Sequence, residues 1–165
     1  LESKNIKPLL EIKDILQELG IQKDVSFVGW TFNTQFANNN KEIINGFLKY
    51  ENDFFLFINL EKEKFSKSAN YHNAFLSKDR FTYQSKPSQS QDKGDGERLI
   101  ENQKHKVKLH IFIRKFIQVD KRTENFIYLG IANSVKYSGN KPISLELKLE
   151  IPLENKLYEK NKKII

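Results

Sequence analysis

At 165 residues the chain has room for one domain with a core of its own and not for two ordinary ones. The absence of cysteine excludes a disulfide framework and thiolate metal sites and points to a reducing, cytoplasmic setting. The 28 Lys and Arg against 21 Asp and Glu leave a net charge of +7, which favours an anionic partner such as nucleic acid. No stretch approaches the roughly 18 apolar residues of a membrane helix and no signal-peptide pattern opens the chain, so no membrane partner is expected.

In chain order, the first segment, IKPLLEIKDILQELG, sets Ile6, Leu9, Leu10, Ile12, Ile15, Leu16 and Leu19 at helical spacing between Pro8 and a stop at Gly20. It predicts one amphipathic helix that docks or links, so residues 1–22 are assigned to an N-terminal helix or linker. With no methionine even at position 1, the chain reads as a domain detached from a longer polypeptide. After Gly20 the period changes. DVSFVGWT, EIINGFLKY and DFFLFINL are short, rich in β-branched and aromatic residues, and separated by polar punctuation. In KVKLHIFIRKF, Val107, Leu109, Ile111 and Ile113 alternate with Lys108, His110, Phe112 and Arg114, and NFIYLGIANSVKY and ISLELKLEI follow in the same style. Short helical turns are expected near Tyr71–Leu76 and Glu97–Gln103. About seven strands with no long helix between them predict a mainly β fold. We expect an open pseudobarrel over 23–153 with an N-terminal helix and one or two short helices, then a charged C-terminal tail over 154–165.

Two connections exceed hairpin size. One runs from Phe32 to Lys41; the other, Gln84 to Glu97, lies within FTYQSKPSQSQDKGDGERLI. Loops this long in a compact domain are usually functional or disordered. Both are dominated by Asn, Gln, Ser, Thr and Lys, side chains that hydrogen-bond to base edges and phosphates. The candidate DNA contacts are Asn33, Thr34, Gln35, Asn38, Asn39 and Lys41 in or beside the first loop. In or beside the second they are Arg80, Gln84, Lys86, Ser88, Gln89, Ser90, Lys93 and Arg98. Lys86, Lys93 and Arg98 suit phosphates, and Gln84, Ser88, Gln89 or Ser90 suit base edges. Arg98 carries a second expectation, a strut paired with Asp95 or Glu101 at the base of the loop. Trp30, at the root of the first loop, is expected to pack its ring on the barrel.

Other chemistry finds little support. His72, His105 and His110 are scattered and no HExxH occurs, so no metal site is expected. DKGDGER offers Gly94 and Gly96 but lacks the Lys-Ser/Thr ending of a phosphate loop, and no cofactor is expected. Carboxylate followed by lysine recurs in EKEK, Glu61–Lys64, and at Glu146-Leu147-Lys148, a pattern a metal-dependent nuclease could use. In LELKLE, however, period two puts Glu146, Lys148 and Glu150 on one face and Leu145, Leu147 and Leu149 on the other, a solvated face over a leucine core. The domain is therefore expected not to be an enzyme.

Over roughly Asn45 to Leu149 the chain resembles an uncharacterised domain that follows helicase and phospholipase-D-type nuclease modules in bacterial restriction-associated proteins. The matching residues are Phe65, Tyr71, Ser77, Phe81, Tyr83, Gln84, Ser85, Gly96, Arg98, Ile100, Phe112 and Arg114, with Tyr83 where the pattern has Trp and Glu97 where it often has Gln. That resemblance implies a target-recognition module. By analogy with the effector domains of EcoRII-like and BfiI-like restriction enzymes, it would be a B-three-type pseudobarrel that grips DNA with two arms. The N-terminal DNA readers of McrBC-like and LlaJI-like systems would play a similar role. The implied partners are double-stranded DNA and the nuclease and NTP-driven motor domains or subunits of the same phage-defence system. Two other readings stay open: a small metal-dependent nuclease that depends on Glu146, and a protein-docking module for a helicase or nuclease assembly.

Overall fold

The computed structural model describes residues 6–8, 31–33, 46–50, 52–60, 73–114, 118–119, 122–123 and 126–161. They form β1 (Ile6–Pro8), β2 (Thr31–Asn33), β3 (Phe47–Tyr50), β4 (Asp53–Asn59), β5 (Arg80–Gln84), α1 (Gly94–Ile100) and β6 (Lys108–Arg114). These are followed by β7 (Gln118–Val119), β8 (Arg122–Thr123), β9 (Phe126–Ser138), β10 (Ser144–Leu149) and α2 (Asn155–Asn161). The fold is mainly β, as the alternation requires. Its sheet is mixed and open: the order β1-β2-β9-β6-β4-β3 forms one path, and β10 and β5 branch from β9, while β7 and β8 pair separately.

The branch exists because β9 is long and interrupted. Its first half pairs with β6, its second half with β10, and the register shifts at Ile111/Phe112 and at Glu146/Leu147. Each shift leaves one β9 residue extra, Leu129 and Val135 respectively. Gly130, beside the first, takes a φ of 90° that side chains disfavour. Such bulges bend a strand and increase its twist. Strand β9 can thus pair with β6 along one half and with β10, which carries β5, along the other.

The principal core lies on one face of this sheet. Phe54, Leu56 and Ile58 of β4, Leu109, Ile111 and Ile113 of β6, and Leu145, Leu147 and Leu149 of β10 point into it at every second position. Leu99 and Ile100 of α1, with Leu153, join them. The leucine face read from LELKLE is there. The other row of β6 is buried too, from His110 to Arg114. Parallel pairing sets Phe55 opposite His110 and Phe57 opposite Phe112, and each pair stacks with ring centroids 4.7 Å apart. Arg114 is accommodated there by donating from Nε to Asn59 Oδ1 at 2.6 Å and lying 4.2 Å over the Phe126 ring.

Three expectations need correction. Ile6–Pro8 does not begin a helix but pairs in parallel with Thr31–Asn33 at the sheet edge. Proline lacks an N–H and restricts the residue before it to extended backbone, so an edge strand accommodates both. The rest of the expected helix, and Trp30, lie outside the described residues. The segment from Asn73 to Asp79 is not a helical turn but covers the free edge of β5. Phe75 bridges Phe81, Thr82 N–H donates to the Ala74 carbonyl at 2.9 Å, and Leu76 N–H donates to the Arg80 carbonyl at 2.8 Å. The tail beyond Leu153 includes α2, whose Leu157 and Tyr158 pack on the core.

Tyr83 of β5 is buried, and burial pushes its phenol up from the ordinary value near 10. Because the raised value belongs to the folded state, Tyr83 contributes stability in full below the unfolded phenol pKa and loses it as pH rises above about 10. Between pH 9.5 and 11.5, Tyr83→Phe should therefore lose less stability than the wild type, by about 1 kcal/mol per pH unit above 10. Parallel urea-denaturation curves for the two proteins would rule this out.

Candidate functional site

The loop that follows β5 is bound to the β9–β10 turn by hydrogen bonds rather than extended as a free arm. Ser85 N–H donates to the Ile143 carbonyl at 2.9 Å, and Ile143 N–H returns a bond to Ser85 Oγ at 2.8 Å. Further along, Lys141 N–H donates to the Gln89 carbonyl at 3.1 Å, and Gln91 N–H donates to Asn140 Oδ1 at 2.9 Å. The Gln91 amide nitrogen also donates to the Gly139 carbonyl. The loop closes on itself as well: Lys86 N–H donates to Gln89 Oε1 at 3.1 Å, and Ser90 Oγ donates to Asp92 Oδ1 at 3.0 Å. Helix α1 then seats Gly96 directly on the Ser90 backbone, where a Cβ would stand 1.9 Å from the Ser90 carbonyl oxygen.

This arrangement sorts the residues proposed from the second loop. Gln89 and Ser90 are 8% and 4% exposed, with their side chains turned to their own loop, so in this conformation they brace the loop instead of projecting from it. Polar composition made them look like exposed readers, yet a buried amide or hydroxyl is retained when the chain itself supplies a partner. On α1, Arg98 Nη2 donates to Asn52 Oδ1 at 2.8 Å, the guanidinium lies 4.8 Å over the Phe54 ring, and Asp95 stands at 4.0 Å. Lys86 Nζ lies 5.0 Å from the Phe47 ring centroid. Ser88 and Lys93 are exposed. Arg80 pairs with Glu146 at 2.9 Å, which also commits the carboxylate on which the nuclease reading depends. Asn33 ends β2, opposite Pro8. Thr34, Gln35, Asn38, Asn39 and Lys41 lie outside the described residues.

The structure adds a surface that loop composition did not indicate. Since Phe81, Tyr83, Leu145 and Leu147 point into the core, the alternate residues of β5 and β10 point out, forming one face with β9. Register sets them in rows across three strands: Gln84, Ser144 and Ser138; Thr82, Glu146 and Lys136; Arg80, Lys148 and Asn133. The first two rows line an open groove of about 470 Å³. Thr82 Oγ1 accepts from Ala74 N–H, and Glu150, just past β10, accepts from the Asn133 amide. Lys136 and Lys148 form no ion pair with a described carboxylate, and the side chains of Gln84, Ser138 and Ser144 form no hydrogen bond to a described residue. Alternation in SLELKL and VKYS carries the signal for these positions. It shows which residues face outward but not that the face is concave.

This sheet face is open and presents lysines together with amide and hydroxyl groups that are unbonded to described residues. The chain belongs to the family described as a domain of unknown function, DUF3427, whose model matches residues 24–160. None of the curated proteins matches it. Among solved structures, it is similar to the crystal structure of Arabidopsis thaliana SUVH6 in complex with SAM, with 14% identity and a TM-score of 0.45 over 88% of this chain and 32% of that one. The present chain thus spans about a third of that chain's length, and the likeness is one of partial backbone.

Proposed function

We propose that this chain is a target-recognition domain that binds double-stranded DNA for a bacterial restriction or related phage-defence assembly, with cutting and NTP-driven movement located in other modules. The observation that carries the reading is the face of β5, β10 and β9. There Lys136 and Lys148 have no carboxylate partner among the described residues, while Glu146 is held by Arg80 on a chain of net charge +7. Cations presented in this way exchange condensed counterions for phosphate contacts. The helicase and nuclease association rests on the motif resemblance, and the reader role without catalysis is part of the same proposal.

The test is duplex binding as a function of salt. Affinity for mixed-sequence DNA should fall log-linearly with ionic strength, and the Lys136→Ala, Lys148→Ala double variant should make the slope shallower by about 1.8, or roughly 0.9 for each phosphate no longer neutralised. Both lysines are exposed, so the variant should melt like the wild type. Binding that ignores salt and requires a protein partner would instead support the docking-module reading. Divalent-metal-dependent cutting by the isolated chain that disappears in Glu146→Ala would support the nuclease.

A further inference from the structure

We propose that the row formed by Gln84, Ser144 and Ser138 reads base edges in the DNA major groove, with the Gln84 amide selecting adenine. This inference rests on the DNA-binding reading above and names what part of that surface specifies sequence. Ser144 is the register partner of both Gln84 and Ser138, so the three side chains stand side by side across three strands. Two inter-strand spacings set the outer side chains of the row roughly 10 Å apart, closer to the width of the major groove, about 12 Å, than to that of the minor groove, about 6 Å.

Charge separates the rows. The Gln84 row is neutral and offers donors and acceptors with no partner among the described residues, as base-edge readout requires. The next two rows along the strands bring Lys136 and Lys148, which suit phosphates. The Gln84 row also lies beside the bracing described above. Ser85, the residue after Gln84, is bonded in both directions to Ile143, the residue before Ser144. The backbones that carry Gln84 and Ser144 are thereby fixed relative to each other, and readout needs that rigidity because a bidentate contact tolerates little displacement. A planar amide presents one donor and one acceptor, complementary to N7 and the N6 amino group of adenine; a carboxylate in its place would accept from the N4 amino group of cytosine.

The experiment selects preferred duplexes from a randomised pool with the full chain and then alters single atoms of the selected sites. An adenine position should emerge. Replacing that adenine with 7-deazaadenine, which removes the major-groove acceptor, should weaken binding roughly ten- to hundred-fold, whereas 3-deazaadenine, altered in the minor groove, should stay within about two-fold. Gln84→Ala should lose the adenine preference, and Gln84→Glu should move it to cytosine, a gain that misfolding cannot produce. The inference is overturned if 3-deazaadenine is the damaging substitution, or if Gln84→Glu still selects adenine. Salt-dependent binding with no base preference would overturn this inference alone and leave the DNA-binding reading standing. The absence of any duplex binding would overturn both.

Discussion

Gly96→Ala should destabilise the protein by about 2 to 3 kcal/mol, although glycine to alanine within a helix ordinarily stabilises by up to about 1 kcal/mol. The reversal follows from what a methyl group would meet: the carbonyl oxygen, carbon and nitrogen of Ser90 at 1.9, 2.8 and 2.9 Å. All three are backbone atoms, so no rotamer change relieves the overlap. The Ser90 backbone is also held in place, because its neighbours Gln89 and Gln91 are bonded to Lys141 and Asn140. Either α1 must lift, exposing Leu99 and Ile100, or the loop must release the β9–β10 turn. Urea denaturation should show the midpoint falling with little change in slope. A midpoint equal to or above that of the wild type would mean that the close approach does not shape the fold.

His110→Ala should cost about 3 kcal/mol for a different reason. His110 is 4% exposed and stands between two polar groups, with Nε2 2.8 Å from Asp53 Oδ1 and Nδ1 3.0 Å from the Tyr128 hydroxyl. A carboxylate only accepts, so Nε2 carries the hydrogen, and in the neutral ring Nδ1 accepts from Tyr128. Truncation leaves a cavity where the ring stacks on Phe55 and takes the imidazole from a fully buried tyrosine hydroxyl. His110→Phe separates the two terms, since it keeps a ring on Phe55 but offers neither nitrogen. It should fall between wild type and His110→Ala. If His110→Ala changed stability by less than about 0.5 kcal/mol, the imidazole would be a surface group in all but position.

The motif that supports the family resemblance is largely a structural one. Phe81, Tyr83 and Ile100 fill the core, Ser85 braces the β9–β10 turn, Gly96 permits close approach, and Arg98 and Arg114 are held over aromatic rings. Among the described residues of that motif, Gln84 points to the outer face of the sheet with its side chain unbonded to any described residue. A pattern built from packing residues identifies a fold well and leaves chemistry to the positions between them. The other positions that define the candidate surface, Lys136, Ser138, Ser144 and Lys148, are not among the pattern's residues.

Local composition was sufficient to read β4, and hydrophobic patterning to read β6, β9 and β10, the outward placement of Glu146 and Lys148, and a mainly β domain with excess positive charge, because these signals are carried by residues near one another or by composition alone. The fate of the polar residues required the tertiary structure. Ser85 meets Ile143 across 58 positions and Gln91 meets Asn140 across 49, so whether a serine or glutamine is a brace or a free reader depends on a partner that no local window contains. The helical turn expected near Glu97–Gln103 is α1, which begins three residues earlier at Gly94; glycine disfavours that start locally, and the close contact of Gly96 with Ser90 accounts for the second of its two glycines. Burial of apolar side chains is prescribed by local pattern, whereas satisfaction of polar ones is settled by which distant groups the folded chain brings within hydrogen-bonding distance.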